Sequence, residues 1–192
     1  NVTDLKNNLF GSFSATLKPF KWLSFSSTNT LTLTNVNTND YLDSRTYSGN
    51  HSRNEMSNGV LKVDDERSWT FLTSNILRLQ HSFGEHNLSG LVGQEWYERH
   101  TRSSHIEMYD QMIAGERNVG GFSKQGDKTN PAVIPTGAER ESGSFSVFSE
   151  VNYNYAGKYM ASASFRTDGS TNFGKDNRYG TFYSFSGSWL VS

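Results

Sequence analysis

Apolar and polar positions alternate along most of this chain. In the segment 11–17 the odd positions are apolar or small, and the even positions all carry hydroxyl groups. In the segment 23–34 the even positions are again all serine or threonine, while leucine and phenylalanine occupy odd positions. A period of two places alternate side chains on opposite faces of an extended strand. The pattern therefore predicts β-strands with one apolar and one polar face.

Segments of this kind predict seven strands, at 9–17, 22–36, 68–80, 88–100, 144–155, 159–166 and 178–192. The links after the first, third and fifth strands are short, at 18–21, 84–86 and 156–158. Those after the second and fourth are long, at 37–66 and 101–143, and we expect a short helix over 106–114 in the longer one. This alternation places all the short links at one end of an antiparallel up-and-down sheet, the layout of outer-membrane β-barrels.

An apolar strand face can line a soluble core or contact lipid, and periodicity alone does not separate these environments. All seven predicted strands exceed the length of about five to six residues that is typical of soluble sheets. Aromatic residues cluster near the short links, as an interfacial girdle would: Phe20, Trp22, Phe83, Tyr153, Tyr155, Tyr159 and Trp189. The predicted fold class is all-β, a segment of an antiparallel up-and-down transmembrane β-barrel. A soluble or surface β-sheet ligand-binding module is the alternative.

Composition agrees with a sheet that has an extensive polar face. Of the 192 residues, 34% are hydrophobic and 14% aromatic, and the mean hydropathy is -0.65. The net charge is -1, without a long run of one sign, so nothing favours nucleic acid as a partner. The chain has no cysteine, which excludes disulfides and thiolate metal sites. No stretch approaches the roughly 18 consecutive apolar residues of a membrane-spanning helix.

The C-terminal part carries a long and specific motif. The sequence VNYNYAGKYMASASFRTDGSTNFGKDNRYGTFYSFSGSWLVS, at 151–192, resembles the barrel of SusC/RagA-type TonB-dependent outer-membrane transporters. FGEHNLSGLVGQEW, at 83–96, and LKPFKWLSF, at 17–25, are similar to two further hairpins of that family. Tyr183 stands where the family usually has proline and Ser188 where it often has glycine. Both positions lie on a predicted strand, so these departures change no functional expectation.

The resemblance implies a role as well as a fold. Such transporters are plugged barrels of the Gram-negative outer membrane that import oligosaccharides or other polymer fragments such as peptides. A SusD-like surface lipoprotein is the expected partner, together with TonB, outer-membrane lipid and an oligosaccharide or peptide substrate. Neither an enzymatic activity nor a cofactor is expected.

Seven strands cannot close a barrel of the roughly 22-stranded kind, and open sheet edges do not occur in lipid. Residues 1–192 are therefore expected to form part of a single receptor β-barrel domain. We expect the plug domain, through which TonB would act, and the remaining strands to lie outside this sequence.

Metal and catalytic sites have little support in the sequence. The five histidines are scattered and do not adopt close ligand spacing, and no nucleophile elbow or phosphate-binding loop is present. One calcium-loop alternative exists, in which oxygen ligands come from Asp168, Ser170, Asn172 and Asp176. Glycine, asparagine and serine in the same stretch favour an ordinary turn instead.

Strand parity sends several charged residues to the hydroxyl-bearing face. We expect Arg78, Glu95, Glu150, Arg166 and Asp168 to face the lumen, where charges are tolerated only if the face is wet or the charges are paired. Structural roles, such as holding a plug or each other, are favoured over contact with cargo. Three tyrosines of the long links could stack on sugar rings, namely Tyr41, Tyr47 and Tyr109.

Overall fold

The chain forms one antiparallel sheet in a computed structural model that describes residues 2–50, 58–125, 135–174 and 178–191. Within these ranges the strands are β1 (Val2–Phe20), β2 (Leu23–Leu42), β3 (Val60–Phe83), β4 (His86–Gln111), β5 (Phe122–Gln125), β6 (Thr136–Tyr155), β7 (Tyr159–Ser170) and β8 (Tyr179–Trp189). A single helical turn, α1 (Tyr47–Asn50), and a 3₁₀ turn, Val119–Gly121, lie between strands. No helix of the described residues is long and apolar enough to cross a membrane.

The strand order confirms the predicted meander. Neighbours follow the chain as β1-β2-β3-β4-β6-β7-β8, and β5 pairs with β4 beside this path. The described residues thus contain eight strands, one more than the sequence predicts. The extra strand, β5, has only four residues, too few for a period of two to be recognised. β5 pairs with the end of β4, where Phe122 lies opposite Gln111.

The long links are shorter than predicted, because the strands continue where the apolar alternation stops. The link between β2 and β3 spans 43–59, not 37–66, and the one between β4 and β6 spans 112–135, not 101–143. The helix predicted over 106–114 is wrong, since residues 106–111 continue β4. Backbone ladders need no apolar side chains, and polar pairs such as Asn37 with Asp65, at 2.7 Å, accompany them here.

The short links are tight turns, as predicted. Ala156 and Gly157 have φ values of 52° and 70°, and Lys158 N donates to Tyr155 O at 2.9 Å. Consecutive positive φ angles give the turn the twist that suits antiparallel neighbours. Aromatic residues beside the short links lie together. The ring centroids of Tyr155 and Tyr159 are 6.3 Å apart, those of Tyr159 and Trp189 are 6.1 Å apart, and both pairs are stacked.

The described residues divide into two compact units. The first comprises Asn1–Leu9, Leu33–Trp69 and His100–Arg140. Its core is a small cluster, formed by Tyr41, Leu61, Met108 and Phe122. Because Met108 lies on β4 and Phe122 begins β5, this cluster explains why the chain stays extended through the region predicted to be helical.

The second unit comprises Phe10–Thr32, Thr70–Arg99 and Glu141–Ser192. It is a single sheet layer with two different faces. On one face Ala163 pairs with Val151 and Phe185, and Phe165 pairs with Tyr183. Large apolar side chains on this face are open, with Phe185 77% exposed and Tyr183 74% exposed. We call it the apolar face; a water-soluble protein rarely leaves so continuous an apolar surface uncovered.

Candidate functional site

The opposite face of the second unit, which we call the polar face, is lined by hydroxyl groups. Across β7 and β8, Ser162 Oγ lies 2.6 Å from Ser186 Oγ, and Ser164 Oγ lies 2.7 Å from Ser184 Oγ. Between β1 and β2, Ser14 Oγ donates to Thr28 Oγ1 at 3.1 Å. Directly opposed residues on one sheet face are close enough for such bonds. The polar face is therefore a hydrogen-bonded layer as well as a hydrophilic one.

Arg166 is the centre of a charged cluster on the polar face. Its Nε donates to both carboxylate oxygens of Asp168, at 2.8 and 2.9 Å, and its Nη2 donates to Ser146 Oγ at 3.3 Å. A carboxylate oxygen of Glu95 lies 3.7 Å from the same Nη2. Three of the five residues predicted to face the lumen are thus brought together. Their side chains are only partly buried, so each ion pair contributes about 0.2–1 kcal/mol.

The cluster also contains an aromatic residue that the sequence interpretation did not identify. The Arg166 guanidinium carbon lies 5.4 Å from the ring centroid of Phe148, which is paired with Arg166 in the register. Gly93 provides space for this ring, since a Cβ atom there would lie 2.3 Å from Phe148 Cζ. Strand alternation could have predicted that Phe148 lies on this face, because Phe148 alternates with Ser146 and Glu150 along β6.

The two remaining candidates lie apart from this cluster. Arg78 Nη1 donates to Ser26 Oγ at 3.0 Å, and Glu150 accepts from Asn152 Nδ2 at 2.6 Å. Neither makes an ion pair with another described residue. The structure therefore unites Glu95, Arg166 and Asp168, and gives Arg78 and Glu150 only neutral partners.

The calcium-loop alternative remains a prediction. Both carboxylate oxygens of Asp168 accept hydrogen bonds from Arg166, and Ser170 Oγ accepts from the backbone N–H of Asn172 at 3.2 Å. Asp176 lies outside the described residues. Among the residues that the structure describes, no three histidine, aspartate or glutamate side chains could hold a metal ion together. The described histidines instead make separate contacts, such as His86 Nδ1 with Tyr153 Oη at 2.6 Å.

In the first unit, the long links are anchored by one buried amide. Gln111 Nε2 donates to Tyr41 Oη at 2.6 Å and to Glu116 O at 2.9 Å, while its Oε1 accepts from Ser44 N at 3.0 Å. Nearby, hydrogen bonds from the side chain and backbone of Arg45 hold the pKa of Asp43 well below its usual range. Gln111 therefore connects the link after β2 with the link after β4.

The predicted sugar-stacking tyrosines have different environments. Tyr41 lies on β2 and is buried in the small core, with Arg117 over its ring at 5.2 Å, so its predicted position in a long link is wrong. Tyr109 lies on β4. Tyr47, in α1, is the one of the three that is largely exposed. Of the three, Tyr47 therefore offers the most exposed ring for stacking.

Comparison with known proteins gives sequence relatives of one kind. The chain is 36% identical over 124 residues to TonB-dependent receptor P3 of Formosa agariphila, which covers 63% of this chain and 12% of that protein. It is 27% identical over 194 residues to TonB-dependent receptor P26 of the same organism, which covers 97% of this chain and 18% of that protein. No protein-family model matches the chain.

A solved structure supports the fold. A chain in the structure of the RagAB peptide transporter superposes on 97% of this chain with a TM-score of 0.81 and 19% identity, and the match covers 20% of that chain. At this identity the likeness concerns the fold alone. This chain therefore has the fold of a barrel segment and spans a small part of the proteins it matches.

Proposed function

Because the chain resembles a barrel segment of SusC/RagA-type TonB-dependent receptors, we propose that it forms part of the wall of an outer-membrane importer energised through TonB. The observation that carries the proposal is the 36% identity to a TonB-dependent receptor. Residues 1–192 are then one part of a single β-barrel domain, and the plug and remaining strands belong to the rest of the protein. The location is the outer membrane of a Gram-negative bacterium.

The two faces of the second unit support this role. The apolar face suits contact with lipid, and the polar face suits a wet interior. In this arrangement Arg78, Glu95, Glu150, Arg166 and Asp168 face the lumen. Because Arg166 is already paired with carboxylates, its cluster fixes neighbouring strands, whereas Arg78 and Glu150 keep charges that can meet a plug or cargo. The role is transport, with no catalytic step.

The proposed partners follow from the resemblance. They are a SusD-like surface lipoprotein, TonB acting through the plug, and an oligosaccharide or peptide as cargo. The fold likeness to a chain of the RagAB peptide transporter makes peptides a cargo class to test beside oligosaccharides.

The soluble β-sheet module is less well supported. Such a module would have to cover an apolar face on which Phe185 and Tyr183 are largely exposed, and the described residues of the second unit provide no second layer. Among the residues that the structure describes, the buried hydrophobic core is one small cluster in the first unit.

Uptake by whole cells tests the proposed function. Deleting the gene should abolish uptake of one labelled fraction from a panel of oligosaccharides and peptides, and removing TonB or collapsing the proton gradient should have the same effect. A plasmid-borne copy should restore uptake. Passive transport would be indicated by uptake that persists without TonB, and a soluble module by recovery of the protein outside the membrane fraction.

A further inference from the structure

A concavity of about 650 Å³ lies on the polar face of the second unit, beside the short turns. Five strands line it close to their short-turn ends, with residues within 80–82 on β3, 87–89 on β4, 152–154 on β6, 160–162 on β7 and 186–188 on β8. Short turns face the periplasm in outer-membrane barrels. In the proposed placement, the concavity is therefore at the end of the lumen where imported cargo leaves.

Among the described residues that line the concavity, none has a charged side chain. Its polar side chains are hydroxyls and amides, from Gln80, Ser82, Asn87, Ser89, Asn152, Asn154, Ser162, Ser186 and Ser188. Arg78 and Glu150 lie just beyond it on β3 and β6, further from the short turns. The polar face therefore changes from charged to uncharged on the way to the short turns.

Several of these polar groups are open to a ligand. Ser162 Oγ and Ser186 Oγ bond to each other across β7 and β8 at 2.6 Å. The side chains of Gln80, Ser89 and Ser188, in contrast, make no hydrogen bond to another residue that the structure describes. Hydroxyl and amide groups can each donate and accept a hydrogen bond. The concavity can therefore bind both donors and acceptors of an uncharged ligand.

One apolar side chain lies among these polar groups. Met160 pairs with Asn154 and Ser188 in the register and is 43% exposed. An unbranched thioether adapts its shape to an irregular apolar surface. The concavity thus combines hydrogen-bonding groups with a small apolar contact. This combination suits a ligand in which hydroxyl or amide groups alternate with C–H surface.

We propose that this concavity is a cargo subsite at the exit end of the transport path, and that it binds an uncharged, hydrogen-bonding segment of an oligomeric cargo. Sugar hydroxyls and the amides of a peptide backbone share this chemistry. Contacts with many uncharged groups are individually weak, so a ligand can enter the subsite and leave it again, as conduction requires. The inference rests on the proposed transport function and adds the groups that contact cargo before its release.

Bulky substitutions test the subsite in the full-length protein. Ser162→Trp and Ser186→Trp fill the concavity and should each lower the initial rate of TonB-dependent uptake about tenfold, which corresponds to about 1.4 kcal/mol in the barrier. Ser14→Trp is the matched control, because Ser14 also bonds to a hydroxyl on the polar face, that of Thr28, and lies outside the concavity. It should leave uptake unchanged. Unchanged uptake in the first two variants, or an equal loss in the control, would overturn the inference.

Photocrosslinking is a second measurement that does not depend on blocking the subsite. A photoreactive phenylalanine derivative replaces Ser188, or Ser14 as the control, in cells supplied with labelled neutral and charged oligosaccharides and peptides. Cargo should be captured from position 188 and not from position 14, and neutral cargo should be captured preferentially. Capture of the plug in place of cargo, or equal capture of charged cargo, would refute the assignment. If the unmodified protein shows no TonB-dependent uptake, the proposed function itself is contradicted.

Discussion

At the scale of single residues, the polar face combines compensated charge with an aromatic side chain. Arg166 has two carboxylate neighbours and the ring of Phe148 beside it. A guanidinium over an aromatic ring is favourable by about 0.5–1 kcal/mol at exposed sites. The arrangement depends on the absence of a side chain at Gly93. Small and large residues on adjacent strands therefore set the shape of the polar face together.

Gly93→Ala tests this dependence. The new methyl group would overlap the Phe148 ring, and we expect a loss of about 1–3 kcal/mol of stability, as for overpacking elsewhere. Denaturant-induced unfolding of the full-length protein, followed by heat-modifiable migration on gels, measures the change. The double variant Gly93→Ala, Phe148→Ala should recover part of the loss. If the losses of stability in the single variants Gly93→Ala and Phe148→Ala simply add in the double variant, the proposed contact is contradicted.

A second substitution pair tests which face meets lipid. Ala163 lies on the apolar face between Val151 and Phe185, whereas Ser162 lies on the polar face between Asn152 and Ser186. Ala163→Arg should cost about 2–4 kcal/mol near the bilayer midplane, because a charge on the lipid face must enter hydrocarbon. Ser162→Arg is the adjacent control and should be much milder in the same unfolding assay. Equal costs would refute the assignment of the faces.

At the scale of elements, the tight turn between β6 and β7 helps to fix how these two strands pair. The turn between β6 and β7 holds a non-glycine residue, Ala156, in the left-handed region, followed by Gly157. Asparagine and glycine are the residues that such turns favour. The backbone at Ala156 is therefore strained, and the turn that requires this conformation sets the register of β6 and β7.

Substitution at Ala156 should therefore change stability in two directions. Ala156→Asn should stabilise the full-length barrel by roughly 0.5–1 kcal/mol, since asparagine tolerates positive φ better. Ala156→Val should destabilise it, because a β-branched residue is strained there. Unfolding midpoints in urea provide the comparison. A gain in stability from valine would show that the turn adopts another conformation.

The strands of the second unit could be predicted from sequence because their alternation is strong. The outer parts of β2, β3 and β4 could not, since residues such as Asn37 and Asp65 pair through side-chain hydrogen bonds that leave no apolar period. Residues 106–111 were wrongly predicted as helix. They are held extended by tertiary contacts that the sequence does not reveal, such as the packing of Met108 with Tyr41 and Leu61. The charged cluster and the facing of Phe148 could be predicted from strand alternation, whereas the role of Gly93 depends on a contact between strands.

At the scale of the whole molecule, the distribution of apolar surface is the feature that matters most. Buried hydrophobic side chains in the described residues are few, and large exposed ones are spread along the apolar face of the second unit. A soluble protein of this composition would bury those side chains in a core. A membrane wall instead uses lipid as the covering layer. The sequence relatives are TonB-dependent receptors.

Spin labels along β7 test the central claim, that one face of the sheet meets lipid and the other meets water. Single cysteines are introduced at successive positions from 160 to 167, a segment without native cysteine. The host is the full-length protein in bilayers, with any cysteine outside this segment replaced. Accessibility to oxygen should peak at 161, 163, 165 and 167, and accessibility to a water-soluble nickel complex at 160, 162, 164 and 166. Nickel accessibility without a period of two would contradict the account.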